Sequence, residues 1–414
     1  MPLNKRILKL IILFLLTAVH VSPAQTISPL ISGLNQNVHE IKSFDSEDDS
    51  DILPVGEILK DKTLIGLGEG THGTREFYLY KARLIKYLIL NQNLKLILFE
   101  SNMSGLDLYN QHSLFSIYRT QEIFELINWI KTYNQKRPDP EKVKIAGIDM
   151  HYTYFVINEM LKSPYFLSIL NPDQKSLLTG LNKLWEKGDP RLSKKAKQPY
   201  LNLAKSLYAA IKANGATDSR VVYQQQVRLF EQSILFLNRG DIPGNKIRDE
   251  FMAENVTWSI NRLALHQKAV VWAHNGHVLK GKWRSYNAMG TLLKKTYKNN
   301  YYAMGLAFGD GYARLWDPKR NMSFHKAPLP PLENKNSLEY VFKQVRYPNF
   351  FMDMNKNALD PVIKSYINTP HDMRVLGATV VSDESQINIS IKLKDAFDGI
   401  VFMRNTSNAV EIQN

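Results

Sequence analysis

An α/β fold with a largely parallel central sheet, flanked by helices and carrying a helical insertion or cap, is predicted by three features of this 414-residue chain. Short apolar runs recur along it, bounded by turn residues. Amphipathic segments of helical period separate the first three runs. From about Tyr154 to Gly240 the strand-like runs give way to helical patterns alone.

The N-terminus stands apart. Lys5, Arg6 and Lys9 precede the apolar run "LIILFLLTAV" (Leu10–Val19), and "SPAQ" follows with small Ser22 and Ala24. Charged, apolar, then small is the order of a secretory signal peptide, so export to the periplasm or medium with cleavage after Ala24 is expected. A membrane anchor is the alternative, but a bilayer span needs roughly 20 apolar residues. No cysteine follows the run for lipid attachment.

A polar leader and the acidic cluster "DSEDDSD" (Asp45–Asp51) come next. The cluster lacks the fixed spacing of a calcium loop and reads as a solvated helix-entry loop. Six runs read as buried strands: "TLIGL" (Thr63–Leu67), "LKLILFE" (Leu94–Glu100), "VKIAGID" (Val143–Asp149), "KAVVWAH" (Lys268–His274), "YYAMGLAF" (Tyr301–Phe308) and "DGIVFM" (Asp398–Met403). Between the first three lie "REFYLYKARLIKYLIL" and "RTQEIFELINWIKTYN", apolar at i, i+3, i+4 and i+7. The division expected is a signal at 1–24, an α/β core at 25–153, a helical insertion at 154–244 and the rest of the core at 245–414. The helix "RDEFMAENVTWSINRLA" leads back to the sheet, and the Pro- and Asn-rich stretch Trp316–Gln386 has no clear element.

Composition narrows the chemistry. Hydrophobic residues make up 44% and aromatic residues 11%, enough for a packed core and unlike a disordered chain. The absence of cysteine excludes disulfides, thiolate metal sites and a cysteine nucleophile. Net charge is +14, or +11 once Lys5, Arg6 and Lys9 leave with the signal. The lysines are scattered through amphipathic segments and no nucleic-acid module surrounds them, so no nucleic-acid partner is expected.

In open parallel sheets, ligands sit beyond the carboxyl ends of the strands. Here the first strand runs into Gly68, Glu69, Gly70, Thr71, His72 and Gly73. The second ends at Glu100 and Ser101, the third at Asp149 and His151, the fourth at His274, Asn275, Gly276 and His277. Carboxylates and imidazoles at four strand ends predict a polar active site. The glycines allow a sharp turn and a close approach to a ligand. A Walker loop is excluded by its missing lysine and Ser/Thr. Gly68, Gly70 and Gly73 do match G-x-G-x-x-G, but Glu69 would set a negative charge beside a pyrophosphate. No G-x-S-x-G elbow seats a serine nucleophile. His20, His39 and His266 read as incidental.

Taken in order, "GEGTHGTREF", "LILFE", "RTQEIFELINWIKTYN", "GIDM", "RDEFMAENV" and "VVWAHNGHV" resemble the erythromycin esterase family, which includes proteins labelled succinoglycan biosynthesis factors. The likeness covers most of Leu53–Gly311, and "AFDGIVF" (Ala396–Phe402) is similar to the family's last strand. The resemblance implies hydrolysis of a small-molecule ester or lactone by histidine-activated water, with no covalent intermediate, no cofactor and no metal. It implies that His72 is the base, that Glu69 orients it, and that Glu100 is a second catalytic carboxylate. His274 and His277 match the A-H-N-x-H segment expected to steady charge at the carbonyl. Gly70, Thr71, Asn275 and Lys81 are then expected at the substrate. Lys81 stands where macrolide esterases carry an arginine; it keeps the charge but not the two-pronged geometry. Two further readings of the same residues are a metal-dependent hydrolase and a non-catalytic factor in envelope polysaccharide assembly. After signal cleavage no stable membrane anchor remains, and no oligomeric state is indicated.

Overall fold

The computed structural model describes residues 23–103, 114–188, 190–213, 218–238, 242–264, 267–356 and 358–412. The leader through residue 22, His20 and His266 lie outside them. A helix, Pro23–Asn37, runs across the expected cleavage point after Ala24.

In chain order the strands are β1 (His39–Glu40), β2 (Leu64–Leu67), β3 (Leu94–Asn102), β4 (Lys144–Asp149), β5 (Lys268–Trp272), β6 (Lys282–Trp283), β7 (Tyr286–Asn287), β8 (Tyr301–Asp317), β9 (Ser323–Pro328), β10 (Asn349–Asp353), β11 (Pro370–Arg374), β12 (Asn388–Lys392) and β13 (Gly399–Thr406). One nine-stranded sheet has the order β1-β10-β13-β8-β2-β5-β3-β4, with β9 paired to the far end of β8. From β13 to β4 every pair is parallel. The edge beyond β13 is antiparallel, through β10 and β1. Pairs β6–β7 and β11–β12 form separate two-stranded ribbons.

The parallel strands are buried on both faces, which is why they read as continuous apolar runs. Alternate residues still divide between two cores. Leu64, Leu98, Val271 and Ala303 join the core under the helices that follow β4. Ile65, Phe99, Val270 and Met304 join the core under helices Leu53–Leu59, Arg75–Gln92 and Gln121–Gln135. Among the described residues between β4 and β5, helices alone occur: Thr153–Lys162, Pro164–Ile169, Pro172–Trp185, Lys194–Ala213, Asp218–Phe236 and Ile242–Ser259, the last ending in a π-helical turn. Helix Ile242–Ser259 returns to the sheet, where the Asn255 amide donates to the Ile148 carbonyl at 2.9 Å.

Register places the site. Leu67 pairs with Trp272, Trp272 with Phe99, and Phe99 with Gly147, so these residues form one row across four strands. Two residues further on, the chain presents Glu69, His274, Ser101 and Asp149, and Glu100 falls in the row between. The strand between β2 and β3 is β5, so its end lies between the two glutamates.

Candidate active site

Glu69 and His72 leave β2 in a turn that only glycine permits at its last position. Gly73 has φ +69°, and a Cβ there would stand 2.1 Å from the Arg314 carbonyl oxygen. The turn is held from three directions. Gly73 accepts the Arg314 and Ala409 N–H groups, and Gly70 accepts the Leu376 N–H at 2.7 Å.

Glu69 is fully buried and has three partners. Its Oε1 meets His72 Nδ1 at 2.5 Å and the Tyr118 hydroxyl at 3.3 Å; its Oε2 accepts from Lys81 Nζ at 2.7 Å. Burial pushes the carboxyl pKa up, but the Lys81 ammonium and His72 outweigh it and hold it down to about 2. Lys81 is equally buried, with Nζ 4.7 Å from the Trp272 ring centroid. Burial dominates there and lowers its pKa to about 8, against the pull of Glu69. Both values leave the pair ionised near pH 7. With Nδ1 directed at a carboxylate, Nε2 of His72 is the basic nitrogen, and no protein hydrogen bond reaches it among the described residues.

A second imidazole–carboxylate pair faces the first. His277, in the short helix Asn275–Val278, directs Nδ1 at Asp249 Oδ1 and holds Nε2 3.2 Å from Glu100 Oε1. Burial lowers the ring's pKa, but Asp249 and Glu100 reverse that and raise it to about 10, which favours the protonated ring. Arg248 ties the cluster together. Its Nη2 donates to Glu100 Oε1 at 2.8 Å and to Asp149 Oδ2 at 2.5 Å, and its Nη1 rests 3.0 Å from His277 Nε2. Burial pushes Glu100 up, yet His277 and Arg248 hold it well below the usual carboxylate range.

His274 sits between these pairs, its ring centroid 5.0 Å from that of His72 and 6.4 Å from that of His277. Its main-chain N–H donates to Glu100 Oε2 at 2.9 Å. Nδ1 accepts the Gly276 N–H at 3.2 Å and Nε2 donates to the Leu376 carbonyl at 3.2 Å. Burial, then the proximity of His72, lowers its pKa to about 3. Both nitrogens of this ring are thus engaged by main chain.

Exposure separates support from working groups. The side chains of Glu69, Lys81, Asp149 and Asp249 are 0% exposed, whereas His72 keeps 13%, Arg248 13% and His277 12%. The three groups that keep some exposure, His72, Arg248 and His277, are each in contact with a buried acid. Among the described residues, no three His, Asp or Glu side chains are grouped as ligands for a metal ion.

A family model described as erythromycin esterase matches residues 101–406. The chain belongs to the erythromycin esterase family. YbfO of Bacillus subtilis (strain 168), named as a candidate hydrolase, is 24% identical over 412 aligned positions, covering 88% of each chain. An erythromycin esterase type II from Escherichia coli is 21% identical, covering 86% of this chain and 93% of its own. A Bacillus cereus protein of known crystal structure superposes with TM-score 0.78 at 25% identity, over 94% of this chain and 99% of that one. A succinoglycan biosynthesis protein gives 0.76 at 20% identity, over 92% and 98%. An erythromycin esterase mutant in its open conformation gives 0.61 at 15%, over 89% and 96%; these last two show the fold alone. Family and relatives point to a hydrolase. Glu100 lies just before the matched span, and Glu69 and His72 lie further upstream of it.

In this member of the erythromycin esterase family, four residues expected at the substrate are placed elsewhere. Asn275 is buried, and its amide closes two bonds with the main chain of Leu306, donating at 2.9 Å and accepting at 3.1 Å. Thr71 is buried, its hydroxyl donating to the His72 carbonyl at 3.1 Å. Gly70 lies against β8, where a Cβ would stand 2.8 Å from the Leu306 oxygen. Lys81, also expected there, instead ion-pairs with Glu69. Conversely, Arg248, Asp249 and Tyr118 were not singled out. The signal for Asp249 was its position three and seven residues before buried Met252 and Val256, an acid on the apolar stripe of its helix.

Proposed function

We propose that the protein hydrolyses a carboxylic ester or lactone by direct attack of water, with His72 as the general base. The observation that carries this is the pairing of His72 Nδ1 with buried, anionic Glu69, while Nε2 stays open at a ring that keeps 13% exposure. Nε2 takes a proton from water as its oxygen bonds the carbonyl carbon. Glu69 stabilises the imidazolium that forms. We assign the tetrahedral oxyanion to the Arg248 guanidinium, which borders Glu100 and reaches the surface of the site; His277, with both ring nitrogens engaged, holds Glu100 in place. Collapse breaks the bond to the alkoxide, which takes the proton back from His72. An acid and an alcohol leave, and no covalent bond to the enzyme forms.

The order of charged, apolar and small residues over Lys5–Ala24 supports export, and we place the mature chain outside the cytoplasm. Cell fractionation tests this, with the leader removed from the exported form.

The deciding experiment is a screen of esters and lactones with His72→Ala beside the wild-type chain. Loss of general-base catalysis lowers kcat roughly 10²–10⁴-fold. Activity is expected to survive exhaustive chelation; loss restored by Zn²⁺ or Mn²⁺ puts a metal-dependent mechanism in its place. Identical behaviour of the two chains, together with binding of an acidic glycan, puts a polysaccharide assembly role in its place.

A further inference from the structure

A cluster of half-buried rings borders the charged network and takes no part in the chemistry above. Asp149, which holds Arg248 through Oδ2, accepts the His151 N–H through Oδ1 at 3.1 Å. The segment entered there is "HYTYF" (His151–Phe155). Ser101, the residue after Glu100, binds the Phe115 N–H through Oγ at 2.9 Å. The charged site and the rings thus share two hydrogen-bonded corners.

The rings form one connected set. Phe115 lies edge-on to Tyr152 with centroids 5.5 Å apart, and His151 is 4.5 Å from Tyr152. Trp185, the last residue of helix Pro172–Trp185, is 6.0 Å from Tyr152 and 5.6 Å from Tyr154, which stacks on Phe155 at 4.3 Å. All six are only partly buried. The aromatic set beneath the other half of the site differs: Tyr78, Phe99, Tyr118 and Trp272 are sealed, each at 0–1% exposure.

Aromatic side chains bury roughly 150–250 Å² each when they serve a core. Six left part-exposed in one patch present apolar surface of the kind that marks ligand sites. The patch comes from three separate segments and meets at the rim of the acid–base cluster. A flat apolar group is what such rings bind, by offset or edge-on stacking.

We propose that the Phe115–His151–Tyr152–Tyr154–Phe155–Trp185 cluster is the wall against which a flat, apolar arm of the substrate lies, so that the enzyme selects esters carrying an aromatic arm over short aliphatic ones. This rests on the hydrolytic reading of the Glu69–His72 pair.

Two measurements separate that reading from the wall. The first compares kcat/KM for ethyl 2-naphthylacetate and ethyl propionate, whose carbonyls are similarly reactive. The wild-type chain favours the naphthyl ester; the preference falls about tenfold in Trp185→Ala and Tyr154→Ala and returns in Trp185→Phe. The second uses His72→Ala and the non-hydrolysable amide N-ethyl-2-naphthylacetamide in a calorimetric titration. Affinity drops about tenfold when Trp185→Ala is added and recovers with Trp185→Phe, which retains the ring if the alanine variant folds poorly. His72-dependent cleavage of both esters without preference, and no amide binding, overturns the wall and leaves the hydrolase standing. Amide binding lost with Trp185 in a chain that cleaves neither ester keeps the wall and removes the hydrolase. Equal amide affinity with and without Trp185 overturns the wall.

Discussion

At the scale of single residues, the site depends on buried charges that solvent never reaches. Lys81→Met leaves Glu69 in the interior with its main counter-ion gone. Breaking such a pair is expected to cost about 3–5 kcal/mol, read by denaturant unfolding, and to lower kcat because His72 loses a firmly anionic partner. The pH dependence has a definite sign. The folded pKa of Lys81, about 8, lies below its usual 10.5. Activity therefore declines as pH rises through about 8 and the ammonium loses its proton. Stability moves the other way between 8 and 10.5, because the unfolded chain holds that proton longer. A rate profile of Lys81→Arg, which stays protonated, moves the basic limb upward. Sequence reading reached the residues that end strands: Glu69, Glu100, His274 and His277 lie together as strand order requires. It missed Arg248 and Asp249, because a helical Arg-Asp-Glu triplet looks like any solvated face until the helix is docked. It assigned Asn275 to substrate because polarity beside a histidine resembles function; its main-chain bonds show only in three dimensions.

At the scale of elements, Asn275 acts as a clamp between the β5 end and β8. Removing it in Asn275→Ala leaves the Leu306 N–H and carbonyl buried and unpaired. The expected loss is about 2–4 kcal/mol, with KM for a cleaved ester unchanged; a raised KM with intact stability returns Asn275 to the substrate. The parallel strands were legible because burial on both faces writes them as unbroken apolar runs. Four of the six shift at an end by a residue or two, but β8 runs on from Phe308 to Asp317 and β13 from Met403 to Thr406. The fourth run, taken to His274, stops at Trp272 because the His274 ring accepts the Gly276 N–H and starts a helix instead. The stretch Trp316–Gln386 was not legible. It holds the end of β8, β9, β10, β11 and helices Leu338–Phe342 and Pro361–Ile367. Each whole strand and α-helix there has five to seven residues, too few to show a period amid Pro and Asn. The acidic cluster Asp45–Asp51 is partly structural: Asp51 is buried and binds the Arg83 guanidinium at 2.5 Å.

At the scale of the whole molecule, stability carries its own pH dependence, away from the site. Glu339 is fully buried, accepts the Arg374 N–H at 3.0 Å, and leaves its second oxygen unpaired. Burial raises its pKa from 4.5 to about 8, with Arg374 opposing. A raised folded pKa contributes stability that is full below 4.5 and is lost as pH rises through about 8. The loss is at most on the order of 5 kcal/mol, one pKa unit being about 1.36 kcal/mol. Thermal unfolding followed from pH 5 to 9 shows the decline, and Glu339→Gln flattens it; an unchanged slope in that variant assigns the dependence to other groups. The turn bearing His72 has another long-range dependence. Its Gly73 carbonyl is bound by the N–H of Ala409, and the helix that follows is tied through Glu76 to Ser407, 331 positions further along the chain. During synthesis the base is thus among the first working groups to emerge and among the last to be secured. A growing chain halted before residue 407 carries every acid and imidazole of the site and the ties from Arg314 and Leu376, and still lacks the third tie on the turn, from Ala409.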